Sequence, residues 1–306
     1  MALPPDHAAR LERALTALDG LATGDAFGER FFVNPAQVEG LIAARAVPAA
    51  PWPYTDDTIM ALSLVEVLAR HGRVDQEALA DAFAARYEED PARGYGPGAH
   101  GILGEILRGE PWSSAAYGAF RGQGSLGNGG AMRVAPLGAY FADDLEALVV
   151  EAARSAEVTH AHPDGQAGAV AVALAAAFAW RDRDGWTQDP QGFLREVAEA
   201  TPQGATQAAL LDAADLSPDH SAKSAAAYLG NGAEVTAMDT VPFCLWVVAH
   251  LGHLPWEDAL WHTVSALGDR DTTCAIVGGV LAVAQGPAAI PASWRFAREA
   301  LPDLDA

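Results

Sequence analysis

The chain has 306 residues, half of them hydrophobic, and no linker or block of charge divides it, so a single domain over residues 1–306 is expected. Its formal charge is −21, from 40 acidic and 19 basic residues, with Lys223 as the only lysine. That balance leaves no electrostatic footprint for nucleic acid or an anionic membrane, and an anionic substrate would need metal ions or helix N-termini to approach.

The dominant period along the chain is helical. Leu11, Leu15, Leu18 and Ala22 fall at i, i+4, i+7 and i+11, one stripe of an amphipathic helix behind an N-terminus with neither the basic start nor the unbroken apolar core of a signal peptide. After a Pro51-Trp52-Pro53 loop, Thr55 opens a second helix carrying Leu62, Val65, Leu68 and Ala69, and Leu79, Phe83 and Tyr87 mark a third. Glycine-rich loops follow at 93–98 and 125–130, then a short His160-Ala161-His162 segment. Residues 166–180 form the longest apolar run, about 15 residues against the ~20 that a membrane span needs. Segments 166–180, 240–251 and 273–284 are apolar on nearly every face and read as buried helices, with small residues allowing close backbone approach. In the second of these, Thr240 is the expected cap and Pro242 lies in the first turn. No sustained alternation suggests a sheet, so the expected fold is an all-α orthogonal bundle. Cys244 and Cys274 lie in apolar runs, as free thiols of a reducing compartment would, and a cytoplasmic monomer is expected.

Two helix starts are rich in oxygen donors. Thr55-Asp56-Asp57 could simply cap the helix that follows, since a hydroxyl and two acids satisfy its free N–H groups and macrodipole. The same residues are hard ligands of the kind Mg²⁺ prefers. More than 200 residues later Asp269-Arg270-Asp271-Thr272 repeats the pattern, and together the two starts could hold a pair of metal ions about 3.5–4 Å apart. The glycines of Ser125-Leu126-Gly127-Asn128-Gly129-Gly130-Ala131-Met132-Arg133 either flex a loop or let backbone N–H groups meet phosphate oxygens. His160 and His162, without a third ligand nearby, make a poor zinc site and are better read as histidines bonded to backbone.

In order along the chain stand Gly24-Asp25-Ala26-Phe27-Gly28, Tyr54-Thr55-Asp56-Asp57-Thr58, Arg93-Gly94-Tyr95-Gly96-Pro97-Gly98, the Ser125–Arg133 segment, Thr159-His160 and Gly268-Asp269-Arg270-Asp271-Thr272. Jointly, from Gly20 to Ala284, they resemble the ADP-ribosylglycohydrolase family. The resemblance implies an all-α domain with a two-metal cleft, Mg²⁺ first and Mn²⁺ as the alternative, held by Thr55, Asp56, Asp57, Asp269, Asp271 and Thr272. It implies that Gly96, Gly98, Ser125, Gly127 and Asn128 hold diphosphate and ribose, and that His160 lines the cleft of an ADP-ribose-containing substrate. Asp56, Asp57 and Asp271 are all open as the general base, and Glu29 is the nearest match to a glutamate that assists in relatives, although it follows Asp25 too soon.

Two positions depart from the family pattern. Arg270 replaces a small residue, either to neutralise crowded carboxylates or to touch a phosphate or leaving group. Leu126 replaces an aromatic, which leaves Tyr140 or Phe141 to stack on adenine. The expected activity is hydrolysis of an ADP-ribosyl bond. The alternatives are a phosphatase acting on ADP-ribose 1″-phosphate, which Arg270 would favour, and a non-catalytic ADP-ribose binder.

Overall fold

Glycine recurs every fourth residue near the C-terminal end of the first helix, α1 (His7–Glu29), and this spacing decides how the molecule packs. In the computed structural model, which describes residues 3–183 and 185–303, the ridge meets the helix Arg270–Gln285 at backbone contact. A Cβ on Gly20 would sit 2.4 Å from the Gly278 carbonyl oxygen; on Gly24, 2.1 Å from that of Cys274; on Gly28, 2.1 Å from that of Arg270. The partner residues are also four apart and run in the opposite sense, so the two helices zip antiparallel along facing ridges.

The described residues form helices and no strand, with isolated bridges at Trp52–Arg298 and Gly127–Thr236, as expected for an all-α fold. After α1 come α2 (Pro35–Ala43), α3 (Asp56–His71), α4 (Gln76–Glu89), α5 (Pro97–Leu107) and α6 (Trp112–Gly122). The middle of the chain supplies α7 (Gly129–Met132), α8 (Ala135–Tyr140), α9 (Leu145–Glu157), α10 (Pro163–Arg181), α11 (Pro190–Ala200), α12 (Ala205–Asp215) and α13 (Ala222–Leu229). The last are α14 (Ala237–Leu251), α15 (Trp256–Val264), α16 (Arg270–Gln285) and α17 (Ala292–Ala297).

The three apolar segments are buried as the sequence suggests: 167–179 of α10, 240–250 of α14 and 272–284 of α16 are buried throughout. Alanine, valine and glycine dominate these surfaces because neighbouring helices cover every side. Among the described residues no helix is long and apolar enough to cross a membrane.

Two local expectations need correction. Leu15 is 41 % exposed, because α1 turns Ala14, Ala17, Leu18 and Leu21 inward and the buried stripe is rotated by about one position. α14 starts one turn earlier than expected: Thr236 is its cap, accepting from the Asp239 N–H at 3.3 Å, and Pro242 lies inside the helix. Thr240 instead donates to the Thr236 carbonyl and accepts from Asn128, a tertiary contact no local pattern encodes.

The C-terminal end of the described chain braces the loop ahead of α3. Trp52 N donates to the Ala297 carbonyl at 2.7 Å, and Glu299 N to the Trp52 carbonyl at 2.8 Å. Arg93 then grips the Glu299 carboxylate with both terminal nitrogens at 2.7 and 2.8 Å and the Tyr54 carbonyl at 3.0 Å.

Gly24→Ala adds one methyl where the Cys274 carbonyl already stands. It is expected to cost about 1–3 kcal/mol through overpacking and to depress turnover by forcing α1 away from the start of α16. Thermal melts and a parallel activity assay check this, and a variant as stable and active as the parent would show that the helices do not need this approach.

Candidate active site

Asp25 follows Gly24 on α1, is wholly buried, and is the hub of the site. It accepts from the N–H groups of Thr55 at 3.0 Å and Thr58 at 3.1 Å, and from their hydroxyls at 2.9 and 2.5 Å. Its negative charge therefore sits at the N-terminus of α3, where free N–H groups and the macrodipole favour an anion. Burial raises its pKa to about 6, and the four hydrogen bonds oppose that rise. The Thr55 cap is real, since its side chain accepts from the Asp57 N–H, but its hydroxyl also faces both Asp25 and Asp57.

With α3 held this way, its first acids meet the start of α16. Thr272 Oγ1 lies 3.5 Å from Asp57 Oδ2, joining positions 215 residues apart in sequence. Asp269 is the α16 cap by position, yet its side chain makes no capping bond and instead accepts from Asn128 Nδ2 at 2.7 Å. The bland capping reading therefore does not explain Asp269. Gly94, at φ +95°, brings the 93–98 loop so close that a Cβ would lie 3.2 Å from Asp56 Oδ1, and the Asp56 N–H donates to the Arg93 carbonyl at 2.7 Å.

The carboxylates strain one another electrostatically. Asp56 is pushed up to about 8, by burial first and by Asp25 next. Asp57 and Asp271 are raised well above the ordinary range, by burial and then by neighbouring acids. Asp57 Oδ1 and Asp271 Oδ1 are buried without any hydrogen-bond partner. Orphaned anionic oxygens of this kind are costly unless a cation meets them. Among the described residues no three His, Cys, Asp or Glu side chains are already drawn together at ligating spacing. A metal shell would need hydroxyls or water beside the acids. The all-oxygen donor set and the excess negative charge fit a hard divalent cation.

These acids form one wall of a cleft of about 590 Å³, within the usual range for small-molecule sites. Asp56, Asp57, Asp269, Asp271 and Thr272 line it, together with Gly96, Gly98, Ser125, Gly127, Asn128 and His160, so the expected substrate residues do gather around the expected ligands. Thr55 lies behind them, bonded to Asp25.

Glu29 and Arg270 do not line the cleft. Glu29 ends α1, with its pKa raised by burial first and Asp25 next. The Arg270 guanidinium donates to the Phe31 carbonyl and lies 4.5 Å over the Phe32 ring. It feels Asp271 and Asp269 electrostatically without facing the cavity. Tyr140 and Phe141 are core residues, Tyr140 bonded to His7, and neither can stack on a ligand. His162 caps α10 by accepting from the Asp164 N–H, which removes it from any pairing with His160.

Four residues escaped the sequence reading as site residues: Asp25, Thr58, Arg133 and Phe120. Asp25 stood in a recognised motif, and an acid amid a small-residue helix face was its signal. Phe120 adopts φ +54°, rare for a bulky residue, and is 55 % exposed against Gly98 at the cleft. Asp25→Asn would remove the charge at the start of α3 and turn an amide NH₂ toward a backbone N–H, which can only donate. It is expected to destabilise the fold by about 1–3 kcal/mol and to cut turnover at least tenfold. Unchanged melting and kinetics would remove Asp25 from the hub.

Comparison with known proteins bears on the family and the fold. A family model described as ADP-ribosylglycohydrolase matches residues 6–305. Human ADP-ribosylhydrolase ARH3 is 29 % identical over 283 residues, covering 82 % of this chain and 76 % of its own. The ADP-ribosyl-[dinitrogen reductase] glycohydrolase of Rhodospirillum rubrum is 27 % identical, with 92 % and 89 % covered. A solved structure titled ADP-ribosylglycohydrolase-related protein complex shares the fold, with a TM-score of 0.64 at 24 % identity over 95 % of this chain and 93 % of that one. The chain belongs to the ADP-ribosylglycohydrolase family and is a hydrolase.

Proposed function

We propose that the protein hydrolyses an ADP-ribosyl bond, releasing ADP-ribose from a protein side chain or small acceptor, with two divalent cations, Mg²⁺ or alternatively Mn²⁺, in the carboxylate wall. The observation that carries this reading is the meeting of Asp57 with Thr272, with unpartnered oxygens of Asp57 and Asp271 beside them, at the floor of a glycine-lined cleft. Thr55, Asp56, Asp57, Asp269, Asp271 and Thr272 are the proposed ligands. Bound there, such cations orient ribose hydroxyls and lower the pKa of water.

The chain's own groups divide the remaining work. Asn128 holds Asp269 through one carboxylate oxygen, and Asp56, Asp57 and Asp271 are the carboxylates we propose as proton acceptors. As water attacks C1″, its oxygen bonds to that carbon while the bond to the acceptor breaks through an oxocarbenium-like state; the carboxylate takes the water's proton and that proton is then given up to the leaving acceptor, so the carboxylate ends as it began. The Gly127 N–H lies 3.1 Å from Ser125 Oγ, which shapes the 125–130 turn against the cavity. Phe120 offers the exposed ring face that Tyr140 and Phe141 cannot, and a planar base can stack there.

Arg270 was the feature favouring phosphate hydrolysis, and its guanidinium is engaged by Phe31 and Phe32 away from the cleft, so that reading has lost its support. Buried free thiols at Cys244 and Cys274 support a reducing, cytoplasmic setting, and we take the working unit to be a monomer in a single domain.

The test is turnover of ADP-ribosylated arginine, ADP-ribosylated serine peptide, O-acetyl-ADP-ribose and ADP-ribose 1″-phosphate, each with Mg²⁺ and with EDTA. Release from one acceptor in Mg²⁺ alone is expected, and Asp271→Asn should abolish it with helix content intact; metal-independent turnover would sink the cation assignment. Phe120→Ala is expected to raise KM about tenfold with kcat nearly unchanged, as losing one stacked ring does at ~1–1.5 kcal/mol. A KM within twofold of the parent would exclude stacking at Phe120.

A further inference from the structure

His160 lies at the cleft with the Cε1–Nε2 edge of its ring against the glycine loop, where a Cβ on Gly129 would fall 2.7 Å from its Cε1 and 3.0 Å from its Nε2. Its Nδ1 is 2.8 Å from Thr159 Oγ1. That hydroxyl already accepts from Arg133 Nη2 at 2.9 Å, and a guanidinium can only donate. The Thr159 proton therefore needs an acceptor, and His160 Nδ1 is the one beside it. With its Nδ1 lone pair so used, a neutral imidazole carries its proton on Nε2, the nitrogen left for a ligand in the cleft.

Arg133 is placed to impose this order. It is wholly buried, and its guanidinium also donates to the Gly129 carbonyl at 3.0 Å and the Ser155 carbonyl at 2.8 Å, while lying 4.5 Å over the Phe83 ring. It thus ties the glycine loop, the end of α9 and Thr159 into one rigid unit. Burial and the nearby Arg133 charge also hold His160 neutral, with its pKa lowered to about 3.

We propose that Arg133 and Thr159 are positioning residues that fix the tautomer of His160, so that it meets the substrate as a neutral Nε2–H donor to an acceptor oxygen and serves neither as base nor as acid. For its substrate this inference rests on the reading of an ADP-ribosyl hydrolase, and it leaves proton transfer to the carboxylate wall. Arg133 is buried behind the cleft and Thr159 stands at its edge, and in this scheme both act through the imidazole.

The decisive measurement is the long-range ¹H–¹⁵N spectrum of the full chain labelled with ¹⁵N-histidine, with His160 assigned by its loss in His160→Gln. The expected pattern is a neutral Nε2–H ring that does not titrate between pH 5.5 and 8. Thr159→Val should lose that single tautomer and Thr159→Ser should keep it. ADP-ribose affinity should fall about tenfold in Thr159→Val and less than twofold in Thr159→Ser, the loss of one net hydrogen bond. An Nδ1–H or charged ring in the parent protein overturns the proposal, and so does a Thr159→Val variant whose tautomer is unchanged. The spectrum needs no substrate, so failure of ADP-ribose to bind beside the expected pattern would count against the substrate reading alone.

Discussion

The site depends on the closeness of α1 and α16. Three glycines on one helix let its backbone lie against carbonyls of the other, at a separation that a single methyl would not fit. Both helices bring acids to the same end of this seam: Asp25 follows Gly24, and Asp271 and Thr272 lie in the turn that packs on Gly28. Dense packing transmits small shifts instead of absorbing them, so the seam fixes the spacing of the carboxylates.

Asp25 converts that seam into a site. By taking four hydrogen bonds from Thr55 and Thr58 it locks the N-terminus of α3 and turns Asp56 and Asp57 toward α16. The opposite side of the loop is braced by Arg93 and Glu299, so the oxygen-rich turn is held from within by a buried anion and from outside by an ion pair. Crowding acids in this way is unfavourable for the empty protein, as the raised pKa values of Asp56, Asp57 and Asp271 express. That repulsion is the feature on which the proposed cation site rests.

The glycine loop on the far wall has its own support. Gly127 pairs with Thr236 ahead of α14, Asn128 spans Thr240 and Asp269, and Arg133 anchors the loop's end to α9. Asn128 is thus the physical link between the two walls, bonded to an acid on one side and carried by the glycine turn on the other.

The sequence by itself determined the helical class and the three buried helices, because apolar period and small-residue runs are local signals, whereas residues such as Gly96, Gly98 and His160 were expected at the cleft only through the family resemblance. Through a resemblance spanning almost the whole chain it also set the expectation that Thr55-Asp56-Asp57 and Asp269-Arg270-Asp271-Thr272 meet, and the fold brings Thr272 to Asp57. Only the tertiary structure decided which face of α1 is buried, since Leu15 matches the period but the glycine ridge dictates the rotation. It alone revealed Asp25 as the hub, turned Arg270 onto Phe31 and Phe32, moved Tyr140 and Phe141 into the core and put Phe120 at the cleft. Each of these outcomes depends on where a side chain finds its partner in another helix or around a strained turn, from 30 residues away for Asp25 to 239 for Arg270, and periodicity carries no information about such partners.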